Sequence, residues 1–347
     1  MVAALVQEIR LQSHYLENKP VSTIYFGGGT PSLLTAEEIQ ELLQTIYTLY
    51  VVDATAEITL EANPDDITPE KLNSWNQIGI NRLSIGIQSF FEEELVWMNR
   101  AHTNNQAHQC IEWSLAAGFH NITIDLIYGS PLLSDEMWEQ NVKKAIAYGI
   151  PHLSCYALTV EEKTPLHKHI DLKRKADVDP DKQGHQFLLL MQWLKAEGYE
   201  HYEVSNFAKP GFRSRHNSAY WKGQPYLGIG PSAHSFNGSE RQWNIANNQQ
   251  YMHSIQQDLV PFEKELLSPT DQLNEFLMIS LRTKEGIDLA RLSHQWGWEE
   301  KERVVKETIH FINNGVMIRE ENQLRLTESG MPLADGIASQ LFKLDAS

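Results

Sequence analysis

Apolar positions along this chain follow two alternating rhythms: short apolar runs, and longer stretches in which apolar residues recur every three or four positions. The first rhythm predicts buried strands and the second amphipathic helices. Leu5, Ile9 and Tyr15 share one helical stripe, so the chain opens on a helix over 2–15. Strands are expected at 23–26, 57–61, 82–88, 121–127, 152–158 and 199–204, separated by helices at 37–50, 69–78, 104–117, 136–148 and 181–197. Such alternation calls for parallel strands joined by right-handed crossovers. Six units predict an α/β fold, a partial TIM-type (β/α)6 barrel, with a doubly wound open sheet as the alternative. An α/β chain normally leads with a strand, so the helical opening predicts that the first strand is missing. From residue 268 the pattern changes to amphipathic helices at 271–281, 288–294 and 299–313, a hairpin of 315–319 against 323–327, and a last helix from about Met331. That order resembles a winged helix. The expected organisation is a barrel core over 1–205, a connecting segment over 206–265 and a small helical domain over 266–347.

Polar residues break the apolar strands at particular places: Glu61 and Gln88 end two of them, and Asp125 lies within a third. Ligands of parallel α/β folds sit at the carboxyl ends of the strands, where these side chains would meet the loop Gly27-Gly28-Gly29-Thr30-Pro31. Three glycines bare the backbone to close approach. Thr35 is a candidate N-cap, with Glu37 and Glu38 in the first turn of the helix that follows. The loop fits neither the dinucleotide fingerprint nor the P-loop, and a tight turn without a ligand also explains it. Farther on, Arg213, Arg215, His216, Tyr220 and Trp221 crowd into one loop-like stretch, followed by Gly228 and Gly230. A flat aromatic ligand with a central metal would suit such a surface, because Tyr and Trp stack and a neutral imidazole coordinates. Two core aromatics and a satisfied buried histidine are the other explanation.

The 347 residues carry 41% hydrophobic and 21% charged side chains, ordinary for a globular protein. A net charge of −16 disfavours nucleic acid and anionic lipid, and the segment from 266 on, with 13 Asp/Glu and 9 Lys/Arg, disfavours a DNA-binding wing. No apolar run approaches the roughly 20 residues of a membrane span, and Met1–Leu5 lacks the basic start of a signal peptide, so a cytoplasmic protein without an integral membrane segment is expected. Only Cys110 and Cys155 occur, too few for a disulfide framework or a four-ligand metal site.

Four motifs are similar to those of the radical S-adenosylmethionine (SAM) superfamily: Ile24-Tyr25-Phe26-Gly27-Gly28-Gly29-Thr30-Pro31, Glu61-Ala62-Asn63-Pro64, Gly86-Ile87-Gln88-Ser89-Phe90 with Arg100 downstream, and Asp125-Leu126-Ile127-Tyr128-Gly129. The chain resembles the branch holding the oxygen-independent coproporphyrinogen III oxidases and the HemW-type heme chaperones. The resemblance implies that Gly28, Gly29 and Thr30 hold the methionine end of S-adenosylmethionine, with Glu61, Gln88, Arg100 and Asp125 completing the pocket. Arg100 suits the methionine carboxylate as a bidentate partner, and Glu61 or Asp125 suits the ammonium or ribose hydroxyls. His216-Asn217-Ser218-Ala219-Tyr220-Trp221 matches the HNxxYW signature of the chaperones, which implies that His216 is the axial ligand of heme iron and that Tyr220 and Trp221 shape the porphyrin surface.

Family members begin with a strand carrying CxxxCxxC, whose thiolates hold a [4Fe–4S] cluster, and this sequence has no such motif. The simplest expectation is an N-terminally truncated chain, made from an internal Met or a misplaced start. The resemblance thus implies a heme chaperone that delivers heme to acceptors such as a membrane-bound respiratory complex, with S-adenosylmethionine and the cluster as cofactors in the intact family. The rivals are an oxygen-independent decarboxylase of coproporphyrinogen propionates and an inactive remnant.

Overall fold

The computed structural model describes residues 1–17, 19–161 and 164–344, so residues 345–347 of the expected C-terminal domain lie outside the described residues. The chain runs through α1 (Val2–Leu11), β1 (Val21–Phe26), α2 (Ala36–Leu49), β2 (Val52–Ala62), α3 (Pro69–Gln77), β3 (Arg82–Gln88), α4 (Glu92–Trp97), α5 (Asn104–Ala116), β4 (Ile122–Tyr128), α6 (Asp135–Ala147) and β5 (His152–Ala157). It continues with α7 (Pro165–Asp171), α8 (Pro180–Ala196), β6 (Glu200–Glu203), β7 (Asn206–Ala208), α9 (Arg215–Trp221), β8 (His234–Phe236), β9 (Glu240–Asn244), α10 (Asn248–Ile255) and β10 (Phe262–Leu266). The last part holds α11 (Pro269–Leu281), β11 (Ile287–Asp288), α12 (Leu289–Trp296), α13 (Trp298–Asn313), β12 (Met317–Glu320), β13 (Gln323–Leu326) and α14 (Ala334–Gln340). Two compact units result: one of Tyr25–Leu34 and Glu57–Ser214, the other of Met1–Ile24, Thr35–Ala56 and Arg215–Ser347.

A single sheet of seven strands, ordered β1-β2-β3-β4-β5-β7-β6, carries the barrel part. β2 to β5 pair in parallel, and the curled sheet does not close. In the unit of 57–214, β3 is buried over its first six residues, as expected of a parallel strand covered on both faces. Leu83, Ile85, Ile124, Leu126 and Leu153 form the strand core, and α3, α5, α6 and α8 bury Trp75, Ile111, Trp138 and Leu194. Side-chain caps start these helices: Thr68 for α3, Thr103 for α5, Ser134 for α6 and Asp179 for α8. A buried polar layer marks the amino ends of the strands. Arg82 pairs with Glu57 at 4.0 Å, and His152 Nε2 lies 2.7 Å from the Tyr202 hydroxyl. The carboxyl ends are left to the glycine loop, a division of labour familiar in barrels.

The other unit is held together by a buried carboxylate. Glu8 of α1 is fully buried and accepts from the Gly230 N–H at 2.7 Å, from Asn244 Nδ2 at 2.6 Å and from the Tyr251 hydroxyl, joining α1 to β9 and α10. β8, β9 and β10 form an antiparallel sheet in the order β10-β9-β8. Farther on, the order α11-β11-α12-α13-β12-β13, with β13 between β11 and β12, is the winged-helix arrangement. Gly286 permits the tight entry to this wing: its φ is +71°, and a Cβ there would stand 2.2 Å from the Leu324 carbonyl oxygen.

The structure departs from the sequence expectation at three places. The sixth strand does not follow the fifth in the sheet: β7, in a stretch expected to be loop-like, inserts antiparallel between β5 and β6. Three residues are too few to display a period, and β7 is fixed by packing, with Phe207 buried and stacked on His201 at 4.2 Å. The stretch around His216 is helical rather than loop-like, because α9 closes on Gly223 (φ +63°), which lets the Gly223 and Gln224 N–H groups reach the Tyr220 and Ala219 carbonyls. Finally α4, α7, α10 and β8 to β10 carry too few apolar residues for their elements to show in the sequence.

Candidate functional site

The barrel unit gathers one set of side chains at the carboxyl ends of its strands. β1 runs into Gly27-Gly28-Gly29, where Gly28 has φ +82° and donates its N–H to Glu61 Oε2 at 3.1 Å. The Tyr25 hydroxyl donates to the other oxygen of Glu61 at 2.7 Å, so this carboxylate in β2 ties strand to loop. A Cβ on Gly27 would stand 2.5 Å from the Tyr25 ring and 2.8 Å from the Glu61 carboxyl, whereas Cβ atoms on Gly28 and Gly29 would meet nothing within 4 Å. The first glycine is therefore required by packing, and the next two leave backbone open to a ligand.

On the neighbouring strand, Gln88 has φ +64°, a strained value for a residue with a side chain. Gly86 makes room for it: a Cβ there would lie 2.9 Å from Gln88 Nε2 and 3.4 Å from an Arg100 nitrogen. Arg100 donates to Asn63 Oδ1 at 3.2 Å. Asp125 keeps some surface open, yet its carboxyl is pushed up to about 7, first by burial and then by the Glu61 carboxylate, against the pull of Ser154 and Arg100. Burial and Glu61 raise the Tyr25 phenol beyond its usual range, so Tyr25 stays a donor. Glu61, Asp125, Arg100, Gln88 and Gly28 thus share one neighbourhood, with Gly29 and Thr30 in the same loop. The sequence patterns point to these seven and give Tyr25, Asn63, Gly86 and Ser154 no role. The first three of those four stand inside the quoted motifs, which carry the signal.

The second set lies on α9 in the other unit. His216 and Tyr220 are one helical turn apart and share a face. His216 Nδ1 lies 2.8 Å from Thr23 Oγ1 of β1, and Nε2 lies 2.9 Å from the Tyr220 hydroxyl, the two rings meeting edge-on at 4.9 Å. Tyr220 stands edge-on to Tyr226 at 4.7 Å. Trp221 is faced by the Arg282 guanidinium at 5.5 Å. Burial pushes the His216 imidazole down to about 4, which keeps it neutral at physiological pH. Of the two arginines nearby in sequence, Arg213 pairs with Glu200 at 2.9 Å, and Arg215 donates to the Thr55 carbonyl at 2.6 Å. Thr23 carries no sequence signal as a partner of His216, since 193 residues separate them. A cavity of about 320 Å³ beside His234 and Trp243 includes none of the residues named from the sequence.

Two of the groups that the motifs imply suit these donor sets, and one does not. A neutral imidazole on a helix face, with Tyr220 beside it one turn on, fits a porphyrin iron. Open glycine backbone, a guanidinium and two carboxylates fit a zwitterionic amino acid with a ribose. A [4Fe–4S] cluster does not fit. The chain has two cysteines, both buried, with thiols raised by burial, and no group of three His, Cys, Asp or Glu among the described residues is placed to hold a metal.

The family model described as the radical SAM superfamily matches residues 3–159, and the HemN C-terminal domain model matches residues 267–333. The chain is 34% identical to the heme chaperone HemW of Mycobacterium tuberculosis (strain H37Rv), covering 98% of this chain and 85% of that protein. It is 31% identical to the heme chaperone HemW of Lactococcus lactis (strain IL1403), covering 99% and 90%. Among solved structures, coproporphyrinogen III oxidase (HemN) from Escherichia coli, a radical SAM enzyme, matches with a TM-score of 0.83 over 98% of this chain and 82% of that one, at 23% identity. That last likeness is one of fold.

Proposed function

The chain belongs to the HemW heme chaperone family of the radical SAM superfamily, and from that premise we propose that it binds heme through His216 and passes it to an acceptor protein. The observation that carries the reading is the His216 imidazole, kept neutral by burial and oriented through both ring nitrogens by Thr23 and Tyr220. A neutral, oriented imidazole is what heme iron takes as an axial ligand. Tyr220 and Trp221 offer aromatic surface beside it. The acceptor, for which a membrane-bound respiratory complex is the candidate, and a cytoplasmic place of action belong to the same proposal. So does S-adenosylmethionine at Gly28, Gly29, Thr30, Glu61, Gln88, Arg100 and Asp125. There Arg100 would take the carboxylate, the glycine backbone would line the methionine end, and Glu61 or Asp125 would accept from ammonium or ribose. Beside a reduced cluster that cofactor supplies radical chemistry, and the two buried cysteines of this chain are no ligand set for such a cluster.

Hemin titration tests the heme site. His216→Ala should weaken the Soret shift about tenfold or more in apparent affinity, whereas His234→Ala and His201→Ala should leave it within about twofold. An unaltered heme spectrum in His216→Ala would sink the assignment.

A further inference from the structure

We propose that Tyr220 is a cap on the iron-binding nitrogen of His216, holding the site closed until its ring swings away, and that Thr23 is the positioning residue that selects that nitrogen. This rests on the reading of His216 as the heme ligand and deepens it into a gating device.

The two contacts of the imidazole differ in kind. Thr23 belongs to strand β1, whose backbone is fixed in the sheet, and its Oγ1 meets Nδ1 at 2.8 Å. Tyr220 belongs to the same short helix as His216, meets Nε2 at 2.9 Å and is 41% exposed. Its ring meets Tyr226 edge-on, and its backbone lies in α9, outside any strand. Of the two partners, Tyr220 is therefore the one able to leave.

Two proton arrangements satisfy both contacts, and we take the one that readies the ring. Nδ1–H donates to Thr23 Oγ1, and the Tyr220 O–H donates into the lone pair on Nε2. That lone pair is the one a metal needs, and it serves one partner at a time. The imidazole is thus oriented in advance but occupied. Opening costs one neutral hydrogen bond at a half-exposed site, a factor of about five, and apparent affinity falls by the fraction of molecules that are closed. When cargo leaves, the hydroxyl returns to Nε2, so the cap competes with the cargo and favours release. A chain that must give up what it holds gains from such a competitor.

The test is stopped-flow absorbance with ferric hemin on the full chain, comparing wild type with Tyr220→Phe, Thr23→Val and His216→Ala. Tyr220→Phe keeps the ring and removes the hydroxyl. It should bind hemin about fivefold more tightly with the Soret maximum of wild type, and its second-order association rate should rise by about the same factor, because the open fraction scales both. Thr23→Val should bind about tenfold more weakly, as loss of an imidazole's second hydrogen-bond partner commonly does. Nitrogen-15 spectra of the heme-free wild-type histidines give an independent reading, with a proton on Nδ1 and none on Nε2 of His216. If Tyr220→Phe binds equally or more weakly while His216→Ala still loses hemin, the cap is wrong and the ligand reading stands. If His216→Ala binds as wild type does, the ligand reading fails and the cap with it. A protonated Nε2 removes the cap together with the role given to Thr23, and an unaffected Thr23→Val removes the role of Thr23 alone.

Discussion

Asp125 and His216 are tuned in opposite directions by the same cause. Burial raises an acid and lowers a base, because it disfavours charge in either. For Asp125 the folded value of about 7 exceeds the ordinary 3.8, so its contribution to stability is present at low pH and is lost as pH rises through 7. Replacing it with the isosteric amide should therefore stabilise the ligand-free chain at pH 8 by about 2 kcal/mol and have much less effect at pH 5. Urea unfolding at the two pH values checks this, and an equal effect at both would contradict it. For His216 the folded value of about 4 lies below the ordinary 6.5, so the ring stays neutral as pH falls and charges only near 4. Hemin binding to the wild type should accordingly hold from pH 8 to about 5. A Soret amplitude falling with a midpoint near 6.5 would show an ordinary, solvated imidazole instead.

At the level of elements, regular periodicity was legible and local geometry was not. The helices from α2 to α8 that carry strong apolar stripes, and the strands β1, β3, β4 and β5, lie within a few residues of the expected bounds, because a buried parallel sheet writes itself as continuous apolar runs such as Leu83–Ile87. β2 instead starts at Val52, ahead of the expected 57, in a stretch whose exposed residues carry no such run. β7 was missed because three residues show no period, and α9 because its amphipathic face holds a histidine and two aromatics that also suit a loop. The site shows the same division. Motif glycines and strand-end carboxylates stood out, but the Glu61–Tyr25–Gly28 tie and the Thr23–His216 contact are products of folding. The buried Glu8 is a further case, since nothing in Val2–Leu11 announces that its one fully buried carboxylate anchors β9 and α10. Glu8→Ala strands three donors in the interior and should cost about 3 kcal/mol, with Glu8→Gln costing less. Thermal melts of both variants test the ranking, and a tolerated Glu8→Ala would show that water replaces the carboxylate.

For the molecule as a whole, the architecture and the family were readable from four motifs and a signature, whereas the electron-transfer group that the family uses has no ligands in this sequence. Anaerobic iron–sulfur reconstitution of this chain should load no [4Fe–4S] cluster, dithionite should yield no 5′-deoxyadenosine, and S-adenosylmethionine should bind more weakly than about 1 μM in calorimetry. Four irons and four sulfides per chain, or tighter binding, would overturn that expectation. The two residue sets divide cleanly between the compact units: the glycine-loop set is confined to residues 25–34 and 57–214, and the α9 set belongs to a unit assembled from the first, second and last parts of the chain. The division also orders events during biosynthesis. Thr23 leaves the ribosome 193 residues before His216, a lag of roughly 10–40 s at ordinary bacterial elongation rates. Residues 25–34 and 57–214 are all made before His216, so the whole glycine-loop unit precedes the imidazole, and the site on α9 is the later of the two to form.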